Sequence, residues 1–146
     1  MKFQARLLCF LIFLCTVGIC TALGQKKSCS KEEAKQAEMD TDHLRTWDSM
    51  YGFYKRFAQC DDGAIAEGVS DSVAKLLANR WASVGELVKL GSGDKAFEEF
   101  VLRHVDDTID WSNDAPKIRE NARSHCPSNS RRLCQALITR ATPQRQ

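Results

Sequence analysis

The sequence predicts an all-α fold, a single disulfide-stabilised bundle of five or six helices, and three observations predict it. Apolar residues recur at steps of three and four through most of the chain, the spacing of one helix face. Capping and turn signals punctuate those runs at helix-length intervals. No stretch shows the two-residue alternation of a half-buried strand.

The first segment stands apart from that bundle. Lys2 and Arg6 precede a mostly apolar run from Leu7 to Cys20, too short to cross a bilayer comfortably and of signal-peptide length. Ala22 and Gly24 place small residues where cleavage before Gln25 requires them. The chain therefore divides into a signal peptide, 1–24, and one all-α domain, 25–146, ending in a short mobile tail. The product is expected in the periplasm or secreted, with no stable membrane insertion after cleavage.

Removing the leader changes both charge and cysteine usage. Of 21 basic and 19 acidic residues it takes Lys2 and Arg6 and no acid, so the remainder is balanced. That balance gives no basic face for nucleic acid. Cys9, Cys15 and Cys20 leave with it, and Cys29, Cys60, Cys126 and Cys134 remain. An even number in an exported chain reads as two disulfides. Without CxxC or HxxxH spacing the sequence implies neither a metal centre nor a cofactor.

The elements follow in order. Ser30 with Glu33 forms a capping box and starts a helix near Lys31. From Leu44 to Ala58 the residues Trp47, Met50, Tyr51, Phe53, Tyr54 and Phe57 share one face. "MDTDH", residues 39–43, is a possible break, with Thr41 as the cap of a second start. If the helix instead runs on unbroken, about 45 Å separates Cys29 from Cys60 at the helical rise, and the two cannot bond. Cys126 and Cys134 are expected to join across "PSNSRR", leaving Cys60 for Cys29 or free.

A helix from about Gly63 to Trp81 carries Ile65, Val69, Val73, Leu76 and Leu77, with Glu67, Ser70, Asp71 and Lys75 facing away. Ser83 with Glu86 reads as another capping box, opening a short helix through Leu90. "GSGD", residues 91–94, reads as a turn. Phe97, Phe100, Val101, His104 and Val105 form the next apolar face. Pro116 sits in the first turn of a helix toward His125, where its missing amide costs nothing. Pro127 ends that helix, and Ser130 is expected to cap a last one carrying Leu133, Leu137 and Ile138.

Two stretches carry residue types with chemical potential. In "CDDGAIAEG", residues 60–68, Asp61 and Asp62 precede a helix and suit its amide-rich start. Together with Glu67 they are also candidates for general acid/base work, though the register of a calcium loop is absent. In "RHVDDTIDW", residues 103–111, His104 lies on the apolar face and Asp107 is placed to orient its ring. That pair is either half of a hydrolytic site or a hydrogen-bonded core histidine. The sequence has no GxSxG elbow, HExxH or glycine-rich phosphate loop, and His43 and His125 lack partners at metal-ligand spacing. Trp47, Tyr51 and Tyr54 are candidates for a binding face, because Tyr and Trp concentrate at interfaces.

An exported, disulfide-bearing helical chain with an aromatic-rich first helix ending in "FAQC" and a cysteine-bearing last third resembles the periplasmic immunity proteins that protect bacteria from type VI secreted amidase effectors. The resemblance covers architecture and the neighbourhood of Cys60, and it transfers no site residue. It implies a non-enzymatic protein that docks into another protein's cleft and blocks it, often as a dimer. The alternative from the residues alone is a small hydrolase or metal-binding protein using His104 and Asp107 with Asp61 and Asp62.

Overall fold

A computed structural model describes residues 28–143 apart from 107 and 111. The leader, Asp107 and the extreme C-terminus lie outside the described residues. Those described form seven α-helices and no strand, so the all-α expectation holds with one or two more helices than the sequence suggested.

The extra helix comes from the stretch that the sequence left undecided. Helix α1, Lys31–Thr41, begins on the expected box, with Glu33 N–H donating to Ser30 Oγ at 3.1 Å and Ser30 N–H to Glu33 Oε2 at 3.0 Å. It stops at Thr41, and α2, Trp47–Phe57, starts from Thr46 with a second reciprocal box to Ser49. Thr46 is thus the cap, whereas Thr41 closes the preceding helix. The link folds α2 back on α1, and the disulfide Cys29–Cys60 closes with its Cα atoms 4.9 Å apart. Cys126–Cys134 forms as expected.

Asp61 and Asp62 follow a 3-10 turn at Ala58–Cys60 and lead into α3, Gly63–Asn79. Gly63 takes φ +51°, a left-handed conformation that favours a residue without Cβ. Helix α3 is central, packing on α1 on one side and on α6, Asp114–Ser124, on the other. Its C-terminal carbonyls are covered by that neighbour, because Asn121 Nδ2 donates to Leu77 O at 3.0 Å and Ala78 O at 3.1 Å. These bonds satisfy acceptors that a helix end leaves orphaned.

Two local expectations between residues 80 and 94 are corrected. Ser83 ends a 3-10 turn, Trp81–Ser83, and its hydroxyl donates back to Arg80 O instead of capping the next helix. That helix, α4, runs Val84–Gly93 straight through "GSG". Gly91 explains why: a Cβ there would lie 3.1 Å from Glu98 Cβ. Its missing side chain thus permits close approach of α5, Lys95–Arg103, instead of making a turn. The break is Asp94 alone, whose carboxylate accepts from Phe97 N–H at 3.1 Å.

Helix α6 keeps Pro116 in its first turn, as expected, and α7, Arg131–Arg140, completes the bundle. Ser130 precedes α7 but its hydroxyl donates to Asn129 Oδ1, so it does not cap through its side chain. The core gathers Trp47, Met50 and Phe53 from α2, Val69, Val73 and Leu77 from α3, and Phe97, Phe100, Ile118 and Leu137 from the later helices. Two disulfides fit an oxidising compartment outside the cytoplasm. No described helix is long and apolar enough to cross a membrane.

Candidate functional site

Three chain segments bring polar groups together inside the bundle. The corner after Cys60 carries Asp61, the middle of α3 carries Ser70, and the residue that ends α5 is His104. Ser70 Oγ lies 2.9 Å from His104 Nδ1, and Asp61 Oδ1 lies 3.2 Å from His104 Nε2. The ring stands edge-on to Phe100, with centroids 4.6 Å apart. The Ser70–His104 contact is a hydrogen bond whose donor is set by the ring's tautomer, since a serine hydroxyl can either give or take a proton there. The Nε2 to Oδ1 separation is that of an ion pair, yet the two atoms are not aligned as a hydrogen bond, and neither has another partner among the described residues.

Asp61 does not act as a helix cap, which corrects the assignment of both aspartates to the α3 start. Asp62 alone does so, its Oδ1 accepting from Gly63 N–H at 2.8 Å. The corner directs Asp61 inward, with Arg103 reaching its other oxygen at 3.8 Å. Glu67 is exposed on α3 and no described contact joins it or Asp62 to His104. Asp107, the partner that the sequence offered His104, is outside the described residues.

The sequence places Ser70 on the outer face of α3, whereas in the fold it is 1% exposed. Its spacing held the signal, since Ser70, Ala74 and Leu77 fall four and seven residues apart on one face, and α3 is buried on two sides. Serine, histidine and aspartate in a chain are the components of a hydrolytic triad, but in a triad serine bonds Nε2 and aspartate bonds Nδ1. Here the two nitrogens are exchanged. The histidine is 3% exposed, so neither it nor Ser70 presents an edge to a substrate. Among the described residues no group of three His, Cys, Asp or Glu side chains is disposed to hold a metal ion.

The aromatic candidates divide differently from the expectation. Trp47 is fully buried and belongs to the core, which removes it from any binding face. Tyr51 and Tyr54 are half-buried at the edge of α2. Tyr51 packs edge-on to Phe97 at 4.9 Å, and Tyr54 lies 5.1 Å from Phe100. Their polar rim is Lys55 and Asp94: Tyr51 Oη donates to Asp94 Oδ2 at 3.3 Å, and Lys55 Nζ approaches the same oxygen at 3.4 Å. Burial, then the neighbouring Asp94 charge, raises the Tyr54 phenol above its ordinary value. The hydrogen bond to Asp94 raises the Lys55 ammonium. Burial pushes the Asp94 carboxyl up, but the Phe97 amide and Lys55 together hold it below its ordinary value.

Compared with protein-family models, with curated proteins and with solved structures, the chain matches none.

Proposed function

We propose that this is an exported, non-enzymatic helical protein of the periplasm or the secreted fraction that acts by binding another protein, in the manner of an inhibitor or immunity protein. The observation that supports this reading is the inward placement of the chemistry-bearing groups. Ser70, His104 and Asp61 are spent on joining α3, α5 and the Cys60 corner, and His104 is sealed at 3% exposure. What the molecule offers outward is a braced surface. Tyr51 and Tyr54, backed by Phe97 and Phe100 and rimmed by Lys55 and Asp94, have the aromatic and polar character of a protein-binding patch. The nearby Cys29–Cys60 bond holds the ends of the α1–α2 hairpin together, lowering the ordering cost that binding would otherwise carry.

The test is capture of a partner from envelope extracts with the disulfide-bonded protein, followed by assay of that partner's own activity. Inhibition at one-to-one stoichiometry is expected. Tyr51→Ala with Tyr54→Ala should weaken it by about tenfold or more, as loss of interface anchors does. His104→Leu should leave it unchanged at temperatures where the variant is folded. A hydrolytic activity of the purified protein that His104→Leu abolishes would overturn the proposal.

A further inference from the structure

A cleft of about 620 Å³ lies between the α1–α2 link and α3, away from both the buried histidine and the tyrosine edge. Its floor is a close helix crossing, where Gly68 leaves so little room that a Cβ would meet Thr41 Oγ1 at 2.8 Å. Its walls are tied as well. Ser72 Oγ donates to Thr41 O at 3.3 Å, and Arg80 Nη1 donates to Arg45 O at 3.0 Å, so α3 holds the link at two points. The cavity is therefore formed before any ligand arrives. Its volume is within the range of small-molecule sites, roughly 300 to 1,000 Å³.

Charge selects the ligand class. Arg45, Lys75 and Arg80 line the cleft against Asp42 and Asp71, with His43 beside them. Asp71 is already neutralised by Lys75 one turn along α3. The lining then holds two further cationic residues, Arg45 and Arg80, against one further exposed acid, Asp42. Arg80 uses one nitrogen on the Arg45 carbonyl and keeps its remaining donors, while the Arg45 guanidinium and the His43 ring have no partner among the described residues. Planar guanidinium donors match the paired oxygens of a carboxylate or phosphate.

We propose that this cleft binds a small oxyanion-bearing molecule, with its carboxylate or phosphate group held by Arg45 and Arg80. The site is independent of the protein-binding reading, since it uses none of the tyrosine-edge residues. The experiment is calorimetric titration of the disulfide-bonded protein with inorganic phosphate and, separately, with succinate, using chloride at matched ionic strength as the control. Amide NMR shifts report the location. Saturable binding by at least one of the two anions is expected, with shifts confined to the link and residues 71–80. The two arms distinguish phosphate from carboxylate.

Arg45→Gln should weaken binding by about tenfold, the loss of one charge-assisted contact. Because the Arg45 side chain supports no described bond, that variant should fold normally. Arg80→Lys, which keeps the charge and loses the planar fork, should also weaken binding. Binding no stronger than that of chloride, or affinity unchanged in Arg45→Gln, would overturn the assignment.

Discussion

Asp61→Ala tests whether the buried polar chain holds the fold together. The substitution leaves His104 Nε2, an atom sealed from solvent, without the carboxylate 3.2 Å away. Orphaning a buried polar group costs about 1 to 3 kcal/mol, and the poor alignment of this contact places the cost in the lower half of that range. The Arg103 contact, 3.8 Å long on a side chain 57% exposed, adds about 0.5 kcal/mol or less. The sum is about 1.5 kcal/mol, or roughly 3 to 8 °C in Tm. His104→Leu removes the same contact from the other side and also frees Ser70, whose hydroxyl can turn to a carbonyl one turn back on α3. If the contact is shared, the double variant should be more stable than the two single costs predict by about 1 kcal/mol. Urea titrations with intact disulfides measure all four proteins, and equal slopes confirm that stability alone has changed. A coupling energy within about 0.3 kcal/mol of zero would refute the reasoning. Packing against Phe100 would then be what holds the ring.

Three further outcomes follow from the same geometry. Serine replacement of Cys29 and Cys60 should cost about 4 kcal/mol, against about 2.5 kcal/mol for Cys126 and Cys134. The loops differ in length, 31 residues against 8, and thermal melts of the two double variants compare them directly. Gly68→Ala should destabilise the protein, because overpacking against Thr41 at 2.8 Å, about 1 to 3 kcal/mol, outweighs the helix-propensity gain of about 1 kcal/mol. Adding Thr41→Gly should recover part of the loss, and strictly additive urea midpoints would count against the close crossing. Asp94 has a depressed carboxyl in the folded state, so its contribution to stability is full above the ordinary value of 3.8 and is lost as pH falls through the folded value. Asp94→Asn keeps a good cap and removes the charge, so the stability gap to the parent should close below pH 3.8, as urea titrations across that range would show.

Legibility in the sequence tracked the range of the interaction involved. The start of α1 was readable because Ser30 and Glu33 satisfy each other's amides within one turn. Cys126–Cys134 was readable because the bond spans one short turn. Where a local signal competed with a distant neighbour, the neighbour decided. "GSG" has the composition of a turn, yet Gly91 is helical because α5 packs where a side chain would be. Ser83 has the spacing of a capping box, yet its hydroxyl turns back to Arg80.

The candidate site was the least legible part, and for the same reason. Asp61, Ser70 and His104 are separated by 9 and 34 residues in sequence and meet only after α3 and α5 have packed. Read locally, Asp61 and Asp62 are equivalent helix-start carboxylates; the 3-10 turn ending at the crosslinked Cys60 separates them, sending one to an amide and the other to a histidine. The order of formation then matters. With Cys29–Cys60 closed, the corner is pinned against α1 and Asp61 has few orientations left to lose when His104 arrives. With that bond absent, the corner must be ordered by the Asp61–His104 contact itself, which is buried but poorly aligned. Asp61→Ala should therefore weigh more heavily in the Cys29→Ser, Cys60→Ser background than in the crosslinked protein, and a cost independent of the crosslink would show that the 3-10 turn is held by its backbone alone.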